Sequence, residues 1–329
     1  MGKCVIVEAN GDCCVKDDCD IDTFLLSHTA GVYTVGRTLR ERRAVVELAH
    51  HEERLVRSLR GKGLWPEDAD TAPVCAALRH AWARVVRAAE GALGTSDELR
   101  LTALVVGACA AEKRVDIAAM AEALPAVRGP VGVEVWAAAR DAPDVKDSAW
   151  VRKRKHMKER THQPHINEVL LLHEDTDSPA GTAMAGTISE GLSSNFFAVS
   201  ADGTAVITAP EGTVLNGTVR AMVLRACDEL HIRVVQECPR VPPDDQCNSD
   251  AAWSGAFVTS TTRMVLDIDT IHFIDHATET EARPPIRFTQ VPHPLIVEIQ
   301  QRTAALLDAV STDIIITDDD LEHKEKKSC

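Results

Sequence analysis

The sequence predicts an α+β chain folded in two lobes, and three features carry that expectation. Helical and strand-like hydrophobic patterns follow one another along the chain without an internal repeat. A turn-forming run, Asp141-Ala142-Pro143-Asp144, interrupts them near the middle. The length of 329 residues fits about two domains. The boundaries so drawn are residues 1–141 for a small N-terminal α/β lobe, 142–317 for a larger lobe, and 318–329 for a charged tail expected to be disordered.

The elements are expected in the following order. Residues 44–60 put Val45, Leu48, Leu55 and Leu59 on one stripe, which predicts a helix. AALRHAWARVVRAAEGAL (76–93) predicts a second. LTALVVGACA (101–110) and VGVEVWAAA (131–139) are β-branched and apolar, so both read as strands. Short strands are expected at 168–173, 195–200, 205–209, 233–237, 256–259 and 264–274, with helices at 218–231 and 293–310. The spacing is too irregular for a barrel of eight βα units.

Composition narrows the function. Hydrophobic residues make up 45% of the chain, enough for a sizeable core. Thirty-six basic against 50 acidic residues leave a net charge of −14, which argues against general nucleic-acid binding but allows a local anion pocket. No apolar run has the length of a membrane helix. MGKCVIVEANGDCC resembles neither a signal nor a transit peptide; Ile6 breaks the myristoylation pattern, and Cys329 stands last, outside a prenylation box. A cytoplasmic protein is expected, its ten cysteines reduced. Cys13, Cys14 and Cys19 cluster without a CxxC pair or nearby His, so no metal site is expected. Walker A, GxGxxG, HExxH and GxSxG motifs are all missing.

Five local features could carry chemistry. Leu215-Asn216-Gly217-Thr218-Val219-Arg220 is a tight turn feeding a helix whose first N–H groups, at Thr218 and Val219, suit a phosphate; an ordinary capped helix has the same pattern. Thr259-Ser260-Thr261-Thr262-Arg263 offers hydroxyls to phosphate oxygens, as a polar hairpin tip also would. Arg54 has His50, His51, Arg57 and Ser58 as helical neighbours, hence no carboxylate on its own helix, and either serves an anion or is solvated. Glu190 precedes a polar turn and an apolar strand, and could face a cationic ring nitrogen or simply be exposed. Lys146 lies just past the boundary, where a lysine can act as nucleophile or base, and the basic run Arg152–Lys158 after it reads as a solvated face. Together a lysine, a carboxylate, an arginine, a helix start and hydroxyls meet the demands of pyridoxal phosphate.

In this order the segments resemble the class IV (fold-type IV) aminotransferases, a pyridoxal-phosphate-dependent family that includes branched-chain and D-amino-acid aminotransferases and aminodeoxychorismate lyases. The blocks are Gly31-Val-Tyr-Thr, His51-Glu-Glu-Arg-Leu, Glu190-Gly-Leu-Ser-Ser-Asn-Phe-Phe, Leu215-Asn-Gly-Thr-Val-Arg and Thr259-Ser-Thr-Thr-Arg, and the similarity runs from about Asp22 to Val310. SHTAGVYTVGRT and VKDSAWVRKRK are most similar to a largely eukaryotic branch. The resemblance implies a two-lobe D-amino-acid-aminotransferase-like fold, with the larger lobe a pseudo-barrel, and a homodimer with its site between the lobes. It implies a Schiff base on Lys146, which also shuttles the Cα proton, a ring-nitrogen contact at Glu190, and ring packing by Leu215. Arg54, the N–H groups of Thr218 and Val219, and Thr262 with Thr261 would hold the phosphate. Ser194 and Asn195 would shape the wall beside Glu190, and Tyr33 would lie near the substrate.

Three departures stand out. Thr218 precedes Val219, where the family has Val or Ile before Thr. The Lys146–Glu190 spacing is long, which points to a loop over Glu174–Thr187, and a stretched Lys146–Glu168 spacing keeps Lys153 or Lys155 as alternatives. Arg37 and Arg114 are the candidates for a substrate carboxylate. The expected activity is a transaminase for a branched-chain or D-amino acid and a keto acid, with a lyase of the aminodeoxychorismate type or a non-catalytic member of the fold as the alternatives.

Overall fold

A computed structural model describes residues 2–93, 98–126, 129–138, 140, 142–161, 165–173, 186–242, 253–275, 278 and 280–314. The tail from 318 and most of the loop expected over Glu174–Thr187 lie outside the described residues, as does Asp141. In chain order come β1 (Cys4–Val7), β2 (Cys13–Lys16), α1 (Ile21–Leu26), β3 (Tyr33–Leu39), β4 (Ala44–Val46), α2 (Leu48–Gly61) and α3 (Ala72–Glu90). β5 (Leu99–Cys109), β6 (Arg114–Ala123), β7 (Val131–Ala137), α4 (Ser148–Glu159), β8 (Ile166–His173), β9 (Thr187–Gly191), β10 (Asn195–Ser200) and β11 (Ala205–Thr208) follow. The chain continues with α5 (Thr218–Glu229), β12 (Arg233–Gln236), β13 (Trp253–Ser260), β14 (Met264–Asp275), β15 (Thr280–Arg287), α6 (Pro294–Leu306) and β16 (Ser311–Asp313).

The chain forms two compact units: residues 1–125, 145–152 and 307–329, and residues 126–144 and 153–306. The chain crosses between the two units more than once. The reason is strand pairing. β7 joins β8 and β14 in parallel within the second unit before the chain reaches Asp144, and residues 145–152 then pair back into the first.

In the first unit an antiparallel sheet runs β16-β4-β3-β5-β6-β1-β2. Alternation along β3 sends Thr34, Gly36 and Thr38 to one face and Tyr33, Val35 and Arg37 to the other. The first face meets α2 and α3 through Leu48, Leu55, Leu59, Leu78 and Trp82, all buried. On the second, Tyr33, Leu104 and Met120 pack with Phe24 and Leu25 of α1.

In the second unit β10-β13-β14-β7-β8-β9 forms a closed ring, because β9 also pairs with β10 at Glu190 and Asn195. This is the expected pseudo-barrel. Phe196, Ala198, Ala256 and Val258 fill one side of its wall, and Phe197, Val199 and Phe257 pack on the other with α5 and α6. Phe197 and Phe257 stack with centroids 4.7 Å apart.

One expectation changes. Residues 44–46 are a strand rather than the start of a helix, because the β-branched Val45 and Val46 complete a sheet with β3 and β16. β6, where no element was expected, pairs with β5 along its length. No helix among the described residues is long and apolar enough to cross a membrane. Phe257→Ala should destabilise the protein by about 3–5 kcal/mol, read as a lower urea midpoint with an unchanged slope.

Candidate functional site

In the first unit, the segment 31–33 pairs with 146–148. Tyr33 N–H donates to the Lys146 carbonyl at 2.9 Å, and Ser148 N–H to the Gly31 carbonyl at 2.9 Å. The Ser148 hydroxyl accepts from Gly31 N–H at 3.0 Å. Gly31 is required by close approach, since a methyl group there would overlap the Val105 carbonyl oxygen. From the other side, Lys146 N–H donates to the Ser58 hydroxyl of α2 at 3.1 Å. The lysine backbone is held from two directions, and its Nζ lies 4.8 Å from the centre of the Tyr33 ring.

α2 also carries Arg54, one turn before Ser58 and buried rather than solvated. Its Nη2 donates to the Thr34 hydroxyl at 2.6 Å and lies 2.9 Å from His51 Nδ1. Burial pulls the guanidinium down to about 10, with Tyr33 opposing that shift and Arg57 adding to it. His51 is fully buried, and burial together with Arg54, His50 and Lys146 pushes its pKa well below the ordinary value. A buried guanidinium of this kind is suited to an anionic ligand.

In the second unit, Glu190 is buried at the end of β9, where the ring of strands closes. Arg140 Nη1 lies 3.4 Å from Oε1, and the Leu215 N–H donates to Oε2 at 3.3 Å. Asn195 Nδ2 donates to the Leu215 carbonyl at 2.8 Å. These bonds tie the carboxylate to the turn before α5. That helix begins at Thr218 after an extended Gly217, with no side-chain cap bond, so its first-turn N–H groups are ones a helix cannot satisfy from within. Thr218 and Val219 are both buried there, and Thr261 and Thr262 are half-buried in the turn between β13 and β14.

A second buried carboxylate braces this unit. Glu168 Oε2 accepts from Arg263 Nη1 at 2.7 Å, Ser194 Oγ at 2.8 Å and Ser193 Oγ at 2.9 Å. Arg263 Nη2 also donates to Ser193 Oγ at 2.8 Å. Burial pushes the Glu168 carboxyl up, but the ion pair and the two hydroxyls outweigh it and hold it below the ordinary value. Gly191 lies against this cluster, and a methyl group there would overlap the Ser194 hydroxyl.

The first unit therefore brings Tyr33, Arg54 and Lys146 together, and the second brings Glu190, Asn195 and Leu215 together. Ser194 turns its hydroxyl to Glu168. Lys153 and Lys155 are exposed on α4, Lys155 beside Glu159 at 3.6 Å. Within the basic run Arg154 is buried, not solvated, and donates to the Leu192 carbonyl at 2.6 Å. Arg114 is engaged by Glu112 and Asp116, while Arg37 is half-buried on β3. Sequence reasoning missed Thr34, His51, Arg140, Glu168 and Arg263. Thr34 and His51 stood inside quoted blocks, and His51 is a helical neighbour of Arg54. The partners of Arg140 and Glu168 come from strand pairing and have no local signal.

A family model described as "Amino-transferase class IV" matches residues 31–271. No curated protein matches. Solved structures with the same fold include a branched-chain amino acid aminotransferase from Thermotoga maritima, described as putative (18% identity, TM-score 0.61, covering 92% of this chain and 96% of that one). A hypothetical aminotransferase from Mycobacterium tuberculosis, in its form bound to α-ketoglutarate and PMP, has 16% identity and a TM-score of 0.62, with 93% and 99% covered. The branched-chain aminotransferase from Thermoproteus uzoniensis with norvaline has 17% identity and a TM-score of 0.62, with 95% and 99% covered.

Because Glu168 is held below the ordinary carboxylate value of 4.5, its contribution is complete above that value and is lost as pH falls through the lower folded value. Glu168→Gln should cost about 3–5 kcal/mol at neutral pH and flatten the acid side of the stability curve, measured by urea denaturation at a series of pH values.

Proposed function

The chain belongs to the class IV aminotransferase family and is a pyridoxal-phosphate-dependent transaminase; on that premise we propose that Lys146 carries its chemistry, with a branched-chain or D-amino acid as donor. The carrying observation is the constellation in the first unit, in which Lys146 Nζ lies over Tyr33 and the lysine backbone is bonded to the helix that bears Arg54. The residues present fit the cofactor. Each unit by itself offers donors that would suit its phosphate: Arg54 in the first, and the first N–H groups of α5 with Thr261 and Thr262 in the second. Glu190 is an acceptor for its protonated ring nitrogen, and the donors at its two oxygens, Arg140 and Leu215 N–H, stabilise the carboxylate charge.

Bound pyridoxal phosphate supplies an aldehyde that condenses with amines and a ring that draws electrons from the substrate Cα. Lys146 Nζ would be the amine that holds the aldehyde carbon at rest, and, when released by the incoming amino acid, the base that would move the Cα proton. Glu190 would accept from the protonated ring nitrogen and so preserve the ring's electron demand. Leu215 would pack against the ring, Asn195 ties that segment to the strand beside Glu190, and Tyr33 would limit the space beside the amine. A branched-chain donor is favoured by the branched-chain aminotransferases among the structures of this fold. A homodimer in the cytoplasm completes the reading.

The visible spectrum of the protein with added pyridoxal phosphate tests it. The wild type should show a cofactor band that L- or D-amino acids discharge, and Lys146→Ala should lack it and lose roughly 10²–10⁴-fold or more of turnover. A band and turnover that persist in Lys146→Ala would overturn the assignment. Glu190→Gln should bind the cofactor yet lower kcat by a factor of roughly 10² or more, while its thermal midpoint moves little; an unchanged kcat would remove the ring-nitrogen role.

A further inference from the structure

Arg54 is inside the protein, and two neighbours, Thr34 and His51, meet one of its amino groups. Nη2 lies 2.6 Å from Thr34 Oγ1 and 2.9 Å from His51 Nδ1, and those two atoms are themselves 2.9 Å apart. In this three-cornered arrangement a guanidinium can only donate, so Nδ1 of His51 must accept, and the imidazole must be neutral with its proton on Nε2. A protonated imidazole would instead present an N–H to a cation at contact distance. Burial of the ring among Trp82 and the sheet favours the same state, because the charged form loses its hydration there. The Trp82 ring meets His51 edge-on, with centroids 5.2 Å apart and an interplanar angle of 79°.

We propose that His51 is a positioning residue which, with Thr34, aims the Arg54 guanidinium at the cofactor phosphate and so makes the site select phosphorylated over unphosphorylated pyridoxal. The inference rests on the reading of Arg54 as a phosphate donor. Two fixed bonds at one amino group set the plane of the guanidinium, and a planar donor fork binds a phosphate well only when that plane is right. The imidazole suits the task because it accepts without bringing charge. A carboxylate in its place would neutralise Arg54 and compete with the phosphate, and a cation would repel it.

The test compares the binding of pyridoxal 5′-phosphate and of pyridoxal to the full-length apoprotein by quenching of tryptophan fluorescence. His51→Leu should bind pyridoxal phosphate about 10- to 100-fold more weakly, the range set by one charge-assisted hydrogen bond, and pyridoxal as the wild type does. His51→Asn, which returns an amide oxygen near the position of Nδ1, should recover most of the loss. Thr34→Val removes one hydroxyl at nearly constant volume and should act in the same direction, which covers the case in which His51→Leu fails to fold. An equal loss for both ligands, no recovery in His51→Asn, or an unchanged Thr34→Val would each overturn the proposal. A wild type that binds no pyridoxal phosphate would instead overturn the cofactor reading and this inference with it, so the two failures are told apart.

Discussion

The pairing of Gly31–Tyr33 with Lys146–Ser148 is the constraint on which the rest of the first unit depends. It joins groups 117 residues apart through backbone bonds whose geometry tolerates little error. Gly31 makes it possible, because only a residue without a side chain fits against the Val105 carbonyl. Once the pairing forms, Lys146 has Tyr33 under its amine and Ser58 at its backbone, and its own carbonyl is occupied. A lysine side chain loses about 2 kcal/mol of rotamer entropy when it is fixed, and a backbone already in place leaves only that cost to meet.

The second unit meets a similar need by closing a ring of strands. The last pairing in that ring, Asn195 with Glu190, stands beside the carboxylate that accepts from Arg140 and Leu215. A barrel that closes has no free edge, so the strands cannot slip without disrupting every neighbour. The turn between Glu190 and Asn195 is held by Glu168 and Arg263, and Arg154 adds a bond to the Leu192 carbonyl. Glu168 and Arg154, both buried, are thus engaged in fixing one short turn.

Buried charge is costly unless it is answered, and the two units answer it differently. Glu168 is matched by a cation and two hydroxyls within the protein. Arg54 meets a hydroxyl and an imidazole nitrogen at one of its amino groups. The first arrangement fixes a turn, and the second fixes the direction of a buried cation.

The sequence by itself determined the residue types and much of the local order. The short apolar strands expected at 195–200 and 256–259, the Asn216-Gly217 turn feeding α5, and the apolar stripe of α2 are all encoded by near neighbours, and each appears in the structure. The order of Arg54, Lys146, Glu190 and the hydroxyl loop was enough to indicate the family. Only the tertiary structure decided that Arg54 is buried, that Lys146 lies over Tyr33 while Lys153 and Lys155 face solvent, and that Arg140 reaches Glu190. It also decided that Val45 and Val46 extend a sheet, where the helical stripe alone made them part of a helix. The physical reason is the same in each case. A hydrophobic period reports which face of an element is buried, whereas which atoms meet across a sheet depends on its register, and register is fixed by segments far away in the chain.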